Sequence, residues 1–346
     1  MKTLRTSPQE EFETMLSGTV VKPGEFVFET RPAPTGVPES WVLIGIEAVG
    51  ICGTDYHILE GKHPYLKYPR VIGHELSARV CEDGSGWRAG DLVVVNPYIS
   101  CGECRSCRRG KPNCCSNIEV LGVHRDGGLC ARLAVPAANL YAADGLSPLQ
   151  AAMVEFLAIG AHAVRRSGVQ KGDRTLVTGA GPIGLGTALF ARLAGADVHL
   201  LDLSTARLEQ AQRLFGFSKT HKVGSKILAD DLVDGFDVVF DATGNAKAIE
   251  AGFQFLAHGS SYVLVSVVKD DISFNDAEFH KREARIIGSR NATAEDFQHV
   301  MTAIRDGQID TGALCSQTIP LEDFAQHFPG LAQDRETLIK AIVTLE

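Results

Sequence analysis

The sequence has no surplus of basic residues. It contains 34 Lys and Arg against 42 Asp and Glu, which gives a net charge of −8 and a pI near 5.8. Polyanions and anionic membrane surfaces attract positively charged proteins. This balance therefore argues against nucleic acid and against a membrane as the main partner.

Long apolar runs and a secretory leader are also missing. No uninterrupted apolar segment is long enough to span a bilayer. The start of the chain, MKTLRTSPQEEFETM, includes acidic residues and lacks the apolar stretch of a signal peptide. These features predict a cytoplasmic protein, in which disulfides are rare. The cysteines therefore need an explanation other than disulfide bonding.

Five of the nine cysteines lie in one short segment, SCGECRSCRRGKPNCCSN, at residues 100–117. Four thiolates suit tetrahedral zinc, and a site closed by four protein ligands serves structure rather than catalysis. A bacterial ferredoxin run also begins C-x2-C-x2-C, but its last gap is shorter and a Pro follows. We therefore predict a structural zinc site, with Cys114 as the alternative fourth ligand. The predicted ligands, spaced C-x2-C-x2-C-x7-C, are Cys101, Cys104, Cys107 and Cys115.

The pattern of apolar residues changes near residue 155. Before it, short β-branched runs such as WVLIGIEAVG and GDLVVVNPY alternate with Gly and Pro turns, which predicts a mostly β domain. From about residue 158, strand-like and helix-like segments alternate, as in RTLVTGAG, PIGLGTALFARLAGA and DVHLLDLS. This alternation predicts an α/β fold with a doubly wound parallel sheet. A helix in AEDFQHVMTAIRDGQ and a strand in LIKAIVTLE complete the chain.

A glycine-rich turn lies where the first of these strands meets its helix. The segment GAGPIG fits G-x-G-x-x-G, and its position between a strand and a helix is typical of dinucleotide binding. Such glycines allow a tight turn, close approach of a pyrophosphate to the helix N-terminus, and close packing of helix on strand. The cofactor-binding residues expected here are Gly179, Gly181, Pro182, Ile183 and Gly184.

Asp202 ends the next strand, about twenty residues further on. A carboxylate there accepts hydrogen bonds from the adenosine ribose and repels a 2′-phosphate, so NAD is expected rather than NADP. A solvated acid at a strand end is the alternative interpretation. Arg207 would favour a phosphate if it faces the cofactor, and it is otherwise a surface arginine of the helix. Thr243 is expected to border the nicotinamide.

Further residues of metal-ligand type lie outside the cysteine segment. Each has an ordinary structural interpretation, since a lone Cys is often a small core residue and Thr54 can cap a helix. Together, three ligands of mixed Cys, His and carboxylate type with one open position make a catalytic zinc site. The segments GICGTDYHI, IGHE and MVEFLAIG supply Cys52, Thr54, His57, His74, Glu75 and Glu155.

The order of these motifs resembles the zinc-dependent medium-chain alcohol dehydrogenase family over residues 22–346. Within it the chain is most similar to the polyol (sorbitol-like) and sugar-acid branch, because Glu155 stands where the ethanol-type branch has a second Cys. The phrases KYPRVIGHE, LGVHRDGG and SRNA also resemble bacterial sugar-acid 5-dehydrogenases. The resemblance implies a GroES-like, mostly β, zinc-binding catalytic domain (1–157 and 292–346) and a Rossmann NAD-binding domain (158–291).

The resemblance also implies a ligand set for the catalytic zinc. Cys52, His74 and Glu155 would bind the metal. Glu75 would lie beside it and ligate it directly or through water at some stage. Phe156 follows Glu155 at a position where the family commonly has Pro.

Catalytic roles follow from the same resemblance. Thr54 would take the alcohol proton, His57 would pass it to solvent through the ribose, and Arg290 would lie near the substrate and the zinc-side carboxylate. An alcohol releases hydride readily once its oxygen carries negative charge, and zinc provides this by lowering the pKa of a bound oxygen.

These parts predict a zinc- and NAD-dependent dehydrogenase that oxidises a secondary alcohol of a polyol or sugar acid. A threonine-type or general secondary alcohol dehydrogenase is the alternative enzyme. A non-catalytic redox or metabolite sensor, or a zinc-free quinone or enoyl reductase, would share the fold, but the ligand set argues against both. The family suggests a homodimer or homotetramer built through the exposed edge of the cofactor sheet.

Overall fold

The computed structural model describes residues 13–63, 66–225, 234–333 and 336–345. All but the last three residues of the acidic N-terminal segment MKTLRTSPQEEFETM lie outside the described residues.

The strands of the N-terminal part are β1 (Thr14–Lys22), β2 (Glu25–Pro32), β3 (Trp41–Ile51), β4 (Arg70–Val71), β5 (Glu75–Val80), β6 (Leu92–Val95), β7 (Tyr98–Ile99), β8 (Glu119–Val120), β9 (Arg132–Pro136) and β10 (Leu140–Ala142). Those that follow are β11 (Arg174–Thr178), β12 (Asp197–Asp202), β13 (Thr220–Lys222), β14 (Phe236–Asp241), β15 (Leu256–Leu264), β16 (Arg285–Gly288), β17 (Cys315–Pro320) and β18 (Lys340–Thr344).

The α-helices are α1 (Gly53–Leu59), α2 (Arg105–Arg108), α3 (Pro148–Ala152), α4 (Val154–Ser167), α5 (Pro182–Leu193), α6 (Thr205–Phe215), α7 (Ala246–Gly252), α8 (Asp276–Lys281), α9 (Ala294–Arg305), α10 (Thr311–Leu314) and α11 (Leu321–Gln333). Short 3₁₀ helices span Pro112–Cys114, Ala137–Asn139 and Phe253–Phe255. No helix in the described part of the chain combines the length and apolar character needed to cross a membrane.

The first large sheet joins the two ends of the chain. Among the described residues its strand order is β10-β6-β5-β3-β18-β17, and β9 also pairs with β3. The central strand β3 alternates buried and half-buried residues over its first half, as expected for a strand with one face on the core. The last strand, β18, pairs with β3 so that Ala341 lies opposite Ile51. This register places Lys340 beside the residue that follows β3, Cys52.

The second large sheet is parallel throughout its described strands, in the order β13-β12-β11-β14-β15-β16. This is the strand order of a doubly wound dinucleotide-binding sheet. The carboxyl ends of β11, β12 and β14 meet at one edge, since Thr178 pairs with Leu201 and with Asp241. The predicted α/β architecture is therefore confirmed.

Helix α4 connects the two sheets. It carries Glu155 in its first turn and packs closely along α5. The close approach requires glycine: a Cβ at Gly160 would lie 2.6 Å from the backbone nitrogen of Thr187. The predicted domain boundary between residues 157 and 158 falls within α4, and the one between 291 and 292 falls between β16 and α9.

Candidate active site and metal centres

Three of the predicted ligand residues converge at the end of β3. One ligand atom from each of Cys52, His74 and Glu75 lies within 4.8 Å of the others. Cys52 directly follows β3, and Glu75 begins β5 opposite Gly50, so the pairing of these two strands brings the segments together. Both His74 and Glu75 are buried. Thiolate, imidazole and carboxylate donors are the set that zinc prefers.

Asp55 fixes the backbone of both ligand segments, although sequence reasoning gave it no site role. Its Oδ2 accepts a hydrogen bond from the Cys52 amide at 2.9 Å, and its Oδ1 accepts one from the Gly73 amide at 3.2 Å. Oδ1 also lies 3.8 Å from Nδ1 of His74. Complete burial raises the pKa of Asp55, against the opposing effect of His74. Asp55 is thus a positioning residue for the candidate metal group.

The protein groups around His74 favour a cation. Burial alone would lower the pKa of His74, but Asp55, Cys52 and Glu155 outweigh burial and raise that pKa well above its usual value. A site that stabilises a proton on a buried imidazole also stabilises a metal cation there, which replaces the proton. The donor set and its electrostatic surroundings therefore fit zinc.

Glu155 lies next to this group but is not one of the three residues whose ligand atoms all lie within 4.8 Å of one another. It accepts a short hydrogen bond from the hydroxyl of Tyr98, and both side chains are buried. Burial raises the pKa of Glu155 to about 7, partly offset by His74. Sequence reasoning missed Tyr98, which lies 57 positions away. Nothing in the local pattern of the sequence marks this residue.

Glu75 is bound by a buried lysine. Lys340 Nζ lies 2.6 Å from one carboxylate oxygen of Glu75 and 2.7 Å from the other. The same ammonium lies 4.4 Å from the centroid of the Phe156 ring, a cation–π contact. Phe156 stands where the medium-chain alcohol dehydrogenase family commonly has Pro. Its ring therefore stabilises the buried ammonium of Lys340. The signal for Lys340 in the sequence was a lone charge within the apolar run LIKAIV.

The two residues of the predicted proton path lie on α1. Thr54 Oγ1 is 3.9 Å from Sγ of Cys52, so its hydroxyl lies at the candidate metal group. His57 is three residues further on the same helix and is exposed. Residues three apart are neighbours on a helix surface. The structure thus places a hydroxyl near the candidate metal group and an exposed imidazole on the same helix.

Arg290 is exposed in the segment after β16. Its backbone carbonyl accepts a hydrogen bond from Asn113 Nδ2 at 2.9 Å. Burial lowers the pKa of His124, and the charges of Arg290 and Arg70 lower it further. Arg290 therefore lies close enough to His124 for its charge to act on that imidazole. Among the described residues, the Glu75 carboxylate pairs with Lys340 rather than with Arg290.

The cysteine segment forms a second group of ligand type. Sγ of Cys104 is 3.5 Å from Sγ of Cys107 and 3.9 Å from that of Cys115. Sγ of Cys115 is 3.4 Å from that of Cys101. Zinc at the centre of a tetrahedron of sulfurs holds them about 3.8 Å apart. Cys114, the alternative ligand, is exposed and lies outside the group.

Backbone amides favour the thiolate form of two of these cysteines, which is the form that binds a metal. The Cys107 amide donates to Sγ of Cys104, and the hydrogen bonds there lower the pKa of Cys104 to about 5. Backbone hydrogen bonds also lower the pKa of Cys101. Desolvation raises the pKa of Cys107 to about 11. A bound zinc ion would displace the remaining thiol protons, and the fold of the segment would then depend on it.

A buried polar network attaches the cysteine segment to α4 and α9. Asn113 Nδ2 lies 3.3 Å from Nε2 of His162, and Nδ1 of His162 lies 2.8 Å from Oδ2 of Asp296. Arg165 donates to both carboxylate oxygens of Asp296, at 2.7 and 2.9 Å. This network also positions the backbone of Arg290 through Asn113.

The glycine turn has the geometry that the motif predicts. Gly179 has φ of +91°, and a Cβ there would lie 2.9 Å from the carbonyl oxygen of Ala242. A Cβ at Gly184 would lie 1.7 Å from the carbonyl oxygen of Gly179, so only glycine fits at this position. Gly181 is the N-cap of α5, with Pro182 and Ile183 in its first turn. The turn therefore presents backbone amides at a helix N-terminus, a ready site for a pyrophosphate.

Two carboxylates line the same edge of the parallel sheet. Asp202 accepts the Ala180 amide on one oxygen and the Ser204 amide on the other, each at 2.7 Å. Asp241, fully buried, accepts the hydroxyls of Thr178, Thr243 and Ser266. Asp202 thus borders the turn, while Asp241 is scaffolding that orients Thr243. Arg207 Nη1 lies 3.8 Å from Asp202 and 4.0 Å from the position of a Gly181 Cβ.

Comparison with known families agrees with both halves of this description. The "alcohol dehydrogenase GroES-like domain" model matches residues 38–145, and the "zinc-binding dehydrogenase" model matches residues 182–306. L-Galactonate-5-dehydrogenase of Escherichia coli K12 is 39% identical over 341 residues, which cover 93% of this chain and 97% of the relative. The fold and site define a two-domain, GroES-like and Rossmann dehydrogenase.

Solved structures show the same fold with bound cofactor. The alcohol dehydrogenase RspB of E. coli CFT073, complexed with NADH, is 28% identical, with a TM-score of 0.89 over 96% of this chain and 99% of that one. A zinc-binding dehydrogenase of Sinorhizobium meliloti 1021, bound to NADP, is 27% identical, with a TM-score of 0.86 over 96% and 99%. The chain belongs to the zinc-type alcohol dehydrogenase family, as the sequence motifs predicted. It is an oxidoreductase that uses zinc and a nicotinamide cofactor.

Proposed function

We propose that this protein uses zinc and NAD to oxidise a secondary hydroxyl group of a sugar acid or polyol. The observation that carries the proposal is the convergence of half-buried Cys52 with buried His74 and Glu75 in a group that favours a cation. The similarity to L-galactonate-5-dehydrogenase supports a sugar acid as the substrate class. In this proposal residues 1–157 and 292–346 form the catalytic domain and residues 158–291 the NAD-binding domain.

Cys52, His74 and Glu155 would hold the catalytic zinc. Glu75, which is paired with Lys340, would lie beside the metal. Zinc supplies a Lewis acid there, and the nicotinamide supplies the hydride acceptor. Cys101, Cys104, Cys107 and Cys115 would hold a second, structural zinc.

The proton leaves along α1. Thr54 Oγ1 lies near the sulfur of Cys52, where it would accept the proton of the substrate hydroxyl and release its own hydroxyl proton to the cofactor ribose. His57, exposed on the same helix, would receive a proton from the ribose and release it to solvent. An imidazole is suited to this transfer near neutral pH. Arg290 would contact the polar tail of the substrate.

The cofactor preference follows from Asp202. Its carboxylate is buried at the end of β12, and both of its oxygens accept backbone amides of the turn and of the segment before α6. In this proposal the adenosine ribose lies beside Asp202, and the charge of this carboxylate disfavours a 2′-phosphate. NAD is the proposed cofactor, although the structural relatives include both an NADH and an NADP complex.

The proposed assembly is a homodimer or homotetramer. Strand β16 ends the parallel sheet in the described order, and Ile286 on it is 40% exposed. An exposed strand edge with an apolar side chain favours pairing with a second copy. Light scattering at several protein concentrations tests this, and a monomer throughout would contradict it. A cytoplasmic location stays a prediction.

A substrate panel tests the function directly. NADH formation is followed with L-galactonate, other sugar acids, sorbitol, L-threonine and a simple secondary alcohol. Sugar acids or polyols should give the highest kcat/KM. Cys52→Ala should abolish turnover at unchanged Tm, whereas Cys81→Ala, at an exposed cysteine of the same sheet region, should leave turnover unchanged. Threonine or the simple alcohol as the preferred substrate would contradict the proposal, and so would cofactor binding without any turnover.

A further inference from the structure

A carboxylate from the C-terminal segment lies against the proposed adenosine site. The Ser204 hydroxyl donates a hydrogen bond to Oε1 of Glu336 at 2.6 Å. Arg207 Nε donates to the backbone carbonyl of Glu336 at 3.4 Å, and Gln210 Nε2 donates to that of Thr337 at 3.0 Å. The segment at 336–337 therefore lies along one face of the first turns of α6.

Ser204 donates hydrogen bonds to two carboxylates. Its amide donates to Asp202 at 2.7 Å, while its hydroxyl donates to Glu336. The same hydroxyl accepts the Arg207 amide and caps α6. Asp202 comes from the parallel sheet and Glu336 from the segment before β18, 132 positions away from Ser204 in the chain. No sequence motif links these residues.

Without Glu336, this end of the site would attract a phosphate. The N-terminus of α6, the Ser204 hydroxyl and the Arg207 guanidinium are all groups that bind phosphate oxygens. Asp202 opposes the binding of a phosphate with one negative charge. Glu336 adds a second negative charge at Ser204 and occupies its hydroxyl donor.

We infer that Glu336 is a specificity-determining residue that excludes a 2′-phosphate from the adenosine ribose and so makes the protein select NAD over NADP. The inference rests on the proposed nicotinamide cofactor and deepens it. Asp202 disfavours the phosphate from the sheet side, and Glu336 does so from the C-terminal segment. NADP should therefore bind more tightly when the charge of Glu336 is removed.

Calorimetric titration of the full-length protein with NAD and with NADP tests the inference, and it requires neither metal nor alcohol substrate. Glu336→Gln keeps the shape but removes the charge. It should tighten NADP binding about tenfold relative to NAD, the ratio expected from one nearby charge at the protein surface. Glu336→Asp keeps the charge and should retain the wild-type ratio. Glu39→Gln, at an exposed glutamate between β2 and β3, is the matched control and should also retain it.

Salt separates an electrostatic role from a structural one. The difference between wild type and Glu336→Gln should shrink at high ionic strength, because exposed charges are screened. An unchanged NADP to NAD ratio in Glu336→Gln, or equal tightening of both cofactors, would overturn the inference while leaving the proposed function intact. Absence of NAD binding by the wild-type protein would overturn both.

Discussion

Lys340 and Glu75 form a fully buried ion pair, with the ammonium within 2.7 Å of both carboxylate oxygens. The pair joins the last strand of the chain to the first residue of β5. Burial by itself would lower the pKa of Lys340, but Glu75 and Cys52 outweigh burial and raise it. Lys340 therefore keeps its charge in the interior, at the edge of the candidate metal group.

Removing the lysine should destabilise the protein strongly. Lys340→Met leaves a buried, unpaired carboxylate, which costs about 3–5 kcal/mol of unfolding free energy. Adding Glu75→Gln to the same chain should recover most of this loss. The control is Lys219→Met, which breaks an exposed pair with Asp197 and should cost about 1 kcal/mol or less. Urea unfolding measures all three, and equal losses for the two lysine variants would refute the argument.

The hydroxyl of Tyr98 should matter for metal retention. Tyr98→Phe removes the hydrogen bond that orients Glu155, and loss of such a partner weakens metal affinity or activity about 10- to 100-fold. Zinc content after dialysis against graded chelator, together with kcat/KM, measures the effect. Tyr141→Phe removes a hydroxyl that accepts a hydrogen bond from Asn96, which is not a candidate metal ligand, and serves as the control. If Tyr98→Phe retains as much zinc and kcat/KM as Tyr141→Phe, the proposed role of Glu155 is contradicted.

Two cysteines of the segment, Cys104 and Cys114, should differ in their effect on zinc content. Cys104→Ser removes one of the four converging sulfurs, so folded yield and Tm should fall and metal analysis should show about one zinc fewer per chain. Cys114→Ser changes an exposed thiol outside the group and should leave the zinc content unchanged. Unaltered zinc in Cys104→Ser would contradict the structural site.

Asp296 should make stability depend on acid pH. His162, Arg165 and Thr293 hold the pKa of Asp296 well below its usual value, although burial opposes them. Since the folded pKa is depressed, the carboxylate stabilises the fold at every pH above its unfolded pKa near 3.9. This contribution is lost as pH falls below that value toward the folded pKa.

Asp296→Asn should therefore be less stable than wild type near neutral pH, and the gap should narrow below about pH 4. Tm measured across the acid range shows this. Asp306→Asn, at an exposed aspartate just after the same helix, α9, is the control and should follow the wild-type profile. A gap that stays constant down to low pH would show that the charge of Asp296 is not responsible.

Short-range patterns in the sequence predicted much of this molecule. The turn at residues 179–184 and the alternation of strand and helix depend on neighbours along the chain, and both have the predicted geometry. The cysteine spacing likewise predicted which sulfurs converge, including Cys115 rather than Cys114.

Contacts between distant segments were not predictable in this way. The Tyr98–Glu155 bond joins residues 57 apart, and the Lys340–Glu75 pair joins residues 265 apart. The second depends on two strand registers, Ala341 opposite Ile51 and Glu75 opposite Gly50, which no local pattern specifies. For the same reason the contact of Glu336 with Ser204 was invisible in the sequence.

The most direct test is anomalous diffraction at the zinc edge from crystals of the zinc-loaded protein. The account predicts one peak among Cys101, Cys104, Cys107 and Cys115. It predicts a second within bonding distance of the Cys52 sulfur and the His74 imidazole, with a carboxylate oxygen of Glu155 or Glu75 completing the set. A map with no peak at Cys52 and His74 would contradict alcohol oxidation by this site.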